Sequence, residues 1–142
     1  MRPMDDAEAR AFLAAGTRTG KLAVVRSDGS PMVTPVWFVL DDDGRLVFTT
    51  HRDTVKGRAI RRDPRVSLCV DAEAPPYAYV RVDGRAEWSE DPHALLHWAT
   101  EIARRYMGDD LAEAYGRRNG VPGELLVRLT PVRVVALDGV SD

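Results

Sequence analysis

Cysteine is almost missing. Cys69 stands alone in 142 residues, so no intrachain disulfide can form, and a reducing, cytoplasmic setting is the simplest expectation. No apolar run approaches the roughly 20 residues needed to cross a bilayer. The opening MRPMDDAEARAFLAAG mixes charge with alanine and lacks an apolar signal core. Neither membrane insertion nor secretion is therefore expected. Histidine is scarce too. His93 and His97 are spaced i, i+4, but no cysteine pair, HExxH pattern or obvious third ligand accompanies them, so no metal is expected. The chain also lacks a Gly-x-Ser-x-Gly elbow, a Walker-type loop and a GxGxxG turn. A formal net charge of −2 speaks against a nucleic-acid partner. With 44% hydrophobic and 30% charged residues, the composition is that of a folded chain, expected as one domain over residues 1–142.

Lysine is the rarest of the basic residues, two against 18 arginines, and the basic residues are unevenly spread. Arg52, Lys56, Arg58, Arg61, Arg62 and Arg65 fall within one short stretch that holds only two acids, Asp53 and Asp63. A local excess of positive charge in an otherwise acidic chain attracts an anion whatever the overall balance.

Hydropathy patterning surrounds this island with strands. Lys21–Arg26 reads as a strand, and Ser27-Asp28-Gly29-Ser30 as a turn. In Pro31–Leu40, Met32, Val36, Phe38 and Leu40 share one face while Val33, Trp37 and Val39 share the other. A strand apolar on both faces is covered on both, here by a barrel interior and a partner subunit. Asp41–Gly44 turns the chain into Arg45–Thr50. A short helix, Val55–Arg62, capped by Asp53 or Thr54, precedes Asp63-Pro64. Arg65–Val70 and Tyr77–Trp88 are further strands, the second with Gly84 placed for a bulge. Helices are expected at Asp5–Ala15 and from Asp91-Pro92 to about Met107, and a short helix or ordered loop at Asp109–Arg118. Glu124–Leu129 and Val132–Leu137 read as two strands hinged at Thr130-Pro131. About seven short strands joined mainly by turns predict a mainly β fold, an antiparallel barrel with peripheral helices.

The strand end Thr49-Thr50-His51-Arg52 delivers two hydroxyls and an arginine to a helix start, where Lys56 joins them. Hydroxyls, free helix amides and cations together make a phosphate site. On charge alone the same residues would equally form a solvated basic face. Arg61, Arg62 and Arg65 would extend the anion site, pair with acids or solubilise the surface. Cys69, in an apolar strand, reads as core filling. Tyr77 and Tyr79, on the charged side of their strand, are ring faces for a planar anionic ligand.

Taken in order, Asp28-Gly29-Ser30-Pro31, Thr34-Pro35-Val36-Trp37, Thr49-Thr50, Val55-Lys56, Arg61-Arg62-Asp63-Pro64-Arg65-Val66 and Tyr79-Val80-Arg81-Val82-Asp83-Gly84-Arg85-Ala86 resemble the pyridoxamine 5′-phosphate oxidase-like flavin or deazaflavin split-barrel family. They resemble more narrowly its actinobacterial branch that binds coenzyme F420. The resemblance spans roughly residues 5 to 137. It implies that the barrel is a six- to seven-stranded antiparallel split β-barrel, in a homodimer with two cofactor sites at the subunit interface. It also implies that Thr34, Pro35, Val36 and Trp37 line the cofactor ring, and that Thr49, Thr50, Arg52 and Lys56 hold its phosphate. His51 and Val55 fall within the same segments, and Tyr77 and Tyr79 would approach from the second subunit. It names no catalytic proton donor.

The activity so implied is hydride transfer from reduced F420 to a small conjugated organic substrate. A patch extending to Arg58 and Arg61 suits the long anionic tail of F420, whereas FMN needs only the phosphate clamp. FMN-dependent oxidation of the pyridoxamine phosphate type is the alternative, followed by a non-catalytic carrier of F420, FMN or haem.

Overall fold

Alternating burial builds the sheet. Leu22 and Val24, Val66, Leu68 and Val70, and Val80 and Val82 all point into one core, while the residues between them face outward. This is the period of two that a pleated strand imposes. The computed structural model describes residues 1–142. In chain order these form β1 (Arg2–Pro3), α1 (Asp6–Ala14), β2 (Gly20–Val25), β3 (Pro31–Val36), β4 (Val39–Leu40) and β5 (Leu46–His51). There follow α2 (Val55–Arg62), β6 (Arg65–Asp71), β7 (Tyr79–Ser89), α3 (Pro92–Met107), α4 (Asp109–Asn119) and β8 (Glu124–Asp138). No helix is long and apolar enough to cross a membrane.

The strands pair antiparallel in the order β3-β2-β6-β7-β8-β5-β4, with β1 added along β8. This is an antiparallel split β-barrel with peripheral helices. Its core contains Leu46, Phe48, Leu68, Val80, Leu125 and Leu129, with Leu13 from α1 and Ile60 from α2. Each large side chain removed from water in this way contributes about 2 to 3 kcal/mol.

Two expected strands change on folding. Pro31–Leu40 is not one strand. It breaks at Trp37-Phe38, so β3 and β4 lie at opposite ends of the strand order although they adjoin in sequence. The bend is held by α3 and not by a strand ladder: the Phe38 amide donates to the Tyr106 hydroxyl at 3.3 Å, and the Phe38 carbonyl accepts from Arg105 at 2.7 Å. Phe38 is fully buried, whereas Val33 is 62% exposed, so one chain by itself covers only the inner face of this segment. Conversely, the two strands expected around Thr130-Pro131 are one continuous strand, β8. Pro131 sits opposite Gly84, where the β7–β8 register shifts. A proline without an amide donor fits such an irregularity. The bulge expected at Gly84 is there, and a Cβ at that position would run into the Thr130 carbonyl oxygen.

Local signals account for the helix starts. Asp5 accepts from the Glu8 amide, Thr54 (rather than Asp53) from the Gly57 amide, and Asp91 from the His93 and Ala94 amides. Asp109–Asn119 is a full helix, set off from α3 by Gly108 at φ 91°. Asp109 and Asp110 lie in its first turn and Arg117 and Arg118 in its last, matching the helix dipole. Cys69 does not fill the core. It lies half-buried on the outward face of β6, between Lys21 and Arg81 across the strands, and burial together with nearby Asp71 pushes its thiol pKa up.

Candidate functional site

The turn from β5 into α2 sorts its side chains by strand parity. Leu46, Phe48 and Thr50 point inward, and Val47, Thr49 and His51 point toward the helices outside. Thr50 is only 4% exposed. Its hydroxyl lies 3.0 Å from that of Thr54, which donates to the His51 carbonyl at 2.8 Å and accepts from the Gly57 amide at 3.0 Å. Because the single Thr54 proton is used, Thr50 must donate to Thr54. Thr50 thus braces the helix start and has no proton left for a ligand, and Thr49 is the hydroxyl presented outside. A Cβ at position 57 would collide with the His51 carbonyl oxygen, so glycine lets α2 approach this closely. No acidic residue occupies the first turn of α2, and Lys56 forms no ion pair there.

A pocket of about 210 Å³ lies where these elements meet α3 and α4. Pro35, Val36 and Trp37 form one wall, Thr49 and Lys56 a second, and Ala99 and Ile102 of α3 with Asn119 of α4 a third. Trp37 is not free on both faces. Its ring stacks on Tyr106 with centroids 5.1 Å apart and planes within 4°. The Tyr106 hydroxyl in turn donates to the Arg18 carbonyl at 2.9 Å. The wall is therefore pre-positioned, with an aromatic face, a hydroxyl and a cation converging on one space.

The remaining residues expected at the site separate. Thr34 faces the side opposite Pro35, and its buried hydroxyl has no hydrogen-bond partner. His51 Nδ1 accepts from the Asp53 amide at 3.1 Å. Arg52 lies 3.5 Å from Glu90, and Val55 is exposed. Arg61 donates to the Arg52 carbonyl at 2.8 Å and Arg62 to that of Val25 at 3.3 Å. Arg65 grips Asp63 through two nitrogens, at 3.0 and 2.7 Å, and holds that carboxyl down at a pKa of about 2. Arg58 is exposed and makes no such contact. The basic island is thus several engaged guanidinium groups around one pocket lysine and one free arginine. Tyr77 follows Pro75-Pro76, and Tyr79 opens β7; neither lines the pocket of its own chain. His93 and His97 are exposed on α3, where His97 packs edge-on to Trp98, and no group of three or more His, Cys, Asp or Glu side chains is arranged for a metal ion.

Sequence reasoning overlooked Asn119, Tyr106 and Glu124. Glu124 lies directly opposite His51 across β5 and β8. Burial raises its pKa above the usual 4.5, against the lowering influence of His51 and Lys56. Only the long-range β5–β8 register brings it here, so no local signal marks it. Since its folded pKa is raised, the folded state is favoured at pH below the unfolded value, and this advantage is lost as pH rises through the folded pKa. Glu124→Gln should therefore raise the melting temperature slightly at pH 7. Because the change also removes a negative charge near Lys56, an anion drawn to that lysine should bind about two- to fivefold more tightly. Thermal melts from pH 4 to 8 and phosphate titrations check both effects.

Residues 5–138 match the family described as pyridoxamine 5′-phosphate oxidase. A conserved hypothetical protein of Mycobacterium tuberculosis is 29% identical with a TM-score of 0.83, the match covering 96% of this chain and 86% of that one. A protein named F420 reductase is 26% identical with a TM-score of 0.72, over 87% of this chain and 94% of that one. An FAD-binding protein from Mesorhizobium loti is 25% identical with a TM-score of 0.71, over 95% of both chains. With the split barrel complete and the family match running over nearly its whole length, the chain belongs to the pyridoxamine 5′-phosphate oxidase family, whose members include oxidoreductases.

Proposed function

We propose that this protein is an oxidoreductase that binds coenzyme F420 and transfers hydride to a small conjugated organic substrate. The observation that carries this reading is the pocket in which the Pro35–Trp37 wall meets Thr49 and Lys56. A tricyclic ring with an anionic tail needs an apolar aromatic wall, a hydroxyl and a cation within one ligand's length. The cofactor would supply hydride chemistry at a ring carbon. The chain's own work is to orient and to exclude water. Trp37, held by Tyr106, sets the plane of the ring, Pro35 and Val36 keep its face dry, and Thr49, Lys56 and the α2 amides hold the phosphate. Arg58, the free and exposed arginine of α2, would meet a tail that continues past that phosphate around the helix.

A homodimer is part of this reading. At about 210 Å³ the pocket is smaller than the roughly 300 Å³ at which sites for such ligands begin. Trp37 and Val33 remain exposed on the outer face beside it. A second copy laid on that face would enlarge and close the site, bringing its Tyr77 and Tyr79 toward the ring. A cytoplasmic setting accompanies it, since the lone thiol of Cys69 suits a reducing compartment.

One observation favours a second reading, FMN as the cofactor. Arg61 and Arg62 are spent on backbone carbonyls, leaving fewer cations for a long tail. A fluorescence titration of the purified protein with F420 and with FMN separates the two. F420 is expected to bind at least tenfold tighter, and the reduced cofactor to be oxidised in the presence of members of an enone and quinone panel. Tighter FMN binding would transfer the reading to FMN. Tight F420 binding without turnover across the panel would make the protein a carrier.

A further inference from the structure

Asn119 ends α4 and projects into the same pocket as Trp37, Thr49 and Lys56. Nothing in the fold requires asparagine there. Its φ is not positive, so no left-handed backbone calls for it. The helix end is closed by the Gly120 amide donating to the Gly116 carbonyl at 2.7 Å, and the Asn119 side chain makes no hydrogen bond within the protein. A free carboxamide offers two N–H donors and one acceptor. Among the pocket side chains it alone carries both in a fixed plane, since the others are apolar, a hydroxyl or an ammonium.

The frame that carries it is rigid. A Cβ at Gly116 would overlap the Thr100 side chain, and one at Gly120 would lie 3.0 Å from Leu96 Cα and 3.3 Å from Ala99 Cβ. Ala103 and Ala112 are fully buried between the helices. Small residues let α3 and α4 touch backbone to backbone, and Gly120, next to position 119, packs beside Ala99, itself a pocket residue. A helix end held so firmly delivers the carboxamide to one wall of the pocket.

We propose that Asn119 is a specificity-determining contact that reads a lactam or imide edge, an adjacent N–H and C=O, on the ring seated against Trp37. This rests on the cofactor-site reading above but holds for flavin or deazaflavin, whose rings share that edge. Lys56 takes the anion at one end, and Asn119 takes the polar edge of the ring.

The test uses the full-length protein, with F420 and FMN as ring probes and inorganic phosphate as a competitor. Asn119→Leu keeps the branched heavy-atom arrangement and loses the hydrogen bonds. It should weaken the preferred cofactor about tenfold, while the inhibition constant of phosphate stays within twofold. Asn119→Asp keeps an acceptor but loses the donors, and should weaken the cofactor as much or more. Asn119→Ala provides the same comparison if the leucine variant does not fold. Cofactor affinity unchanged in Asn119→Leu, while Lys56→Ala still weakens it, would overturn this inference and leave the site standing. A parallel loss of phosphate affinity would also overturn it, by placing Asn119 on the anion. If Lys56→Ala has no effect either, the site reading itself fails.

Discussion

Lys56→Ala should weaken F420 binding ten- to a hundredfold while leaving the melting temperature almost unchanged. Lys56 lines the pocket and has no carboxylate partner within ion-pair distance, so its ammonium is available to a ligand. A hydrogen bond to a charged group contributes about 1.5 to 3 kcal/mol, and 1.4 kcal/mol is a factor of ten in affinity. Stability is insulated because alanine is the better helix former in α2, and the Thr54 cap and the buried Ala59 and Ile60 are untouched. Since the interaction is with an anion, the wild-type dissociation constant should rise with salt and that of the variant should rise less. Calorimetric titration at two ionic strengths, paired with a thermal melt, checks all three points. An unchanged dissociation constant would remove the phosphate clamp from the reading.

Arg105→Ala should cost about 3 kcal/mol of folding stability. The Arg105 guanidinium donates to the carbonyls of Leu13 at 2.7 Å, Phe38 at 2.7 Å, Gly16 at 2.9 Å and Ala15 at 3.3 Å. It also lies 4.7 Å from the Phe38 ring and 5.1 Å from the Tyr106 ring. Three of these carbonyls close the C-terminal end of α1, where helix acceptors lack partners and carry partial negative charge. Burial pushes the Arg105 pKa down, and no carboxylate offsets it, so the backbone itself is the counter-charge. Truncation strands two half-buried acceptors and opens the space beside the Trp37-Phe38 bend. Arg105→Lys should recover only part of the loss, because an ammonium cannot span four acceptors as a planar fork does. Urea unfolding of the three proteins measures this. A loss below about 1 kcal/mol in the alanine variant would mean that the bend is held without the guanidinium. Because Trp37 rests on Tyr106 next to this latch, cofactor affinity should also fall in Arg105→Ala under conditions where it remains folded.

The two variants separate what a short stretch of chain specifies from what only folding specifies. Gly84 announced its bulge, and Asp5 and the Asp91-Pro92 pair announced their helices, because each acts on backbone within a few residues. The alternation in β7 reflects a pleat with a period of two, and Val80, Val82 and Ala86 are buried, while Trp88 beyond the bulge is exposed. The pocket gathers Thr49 and Lys56, which residue types had marked as an anion site, with Pro35, Val36 and Trp37, which only the family resemblance had placed at a ring. The break at Trp37-Phe38 carries no such signal, because its hydrogen bonds come from Arg105 and Tyr106, more than sixty residues away. Nor does the unbroken course of β8, which depends on Gly84 receiving Pro131 across the sheet.

The basic island shows the division most clearly. Its charge and its place at a helix start were set by the sequence alone, since charge is a property of composition and capping is a property of neighbours. Which of its cations meet a ligand was decided by tertiary structure. Arg61 and Arg62 found backbone carbonyls, Arg65 found Asp63, and Lys56 alone was carried into the pocket beside Trp37 and Asn119. A guanidinium group takes whichever acceptor folding brings within about 3 Å, and that choice is made by strand register and helix packing, which no local pattern encodes.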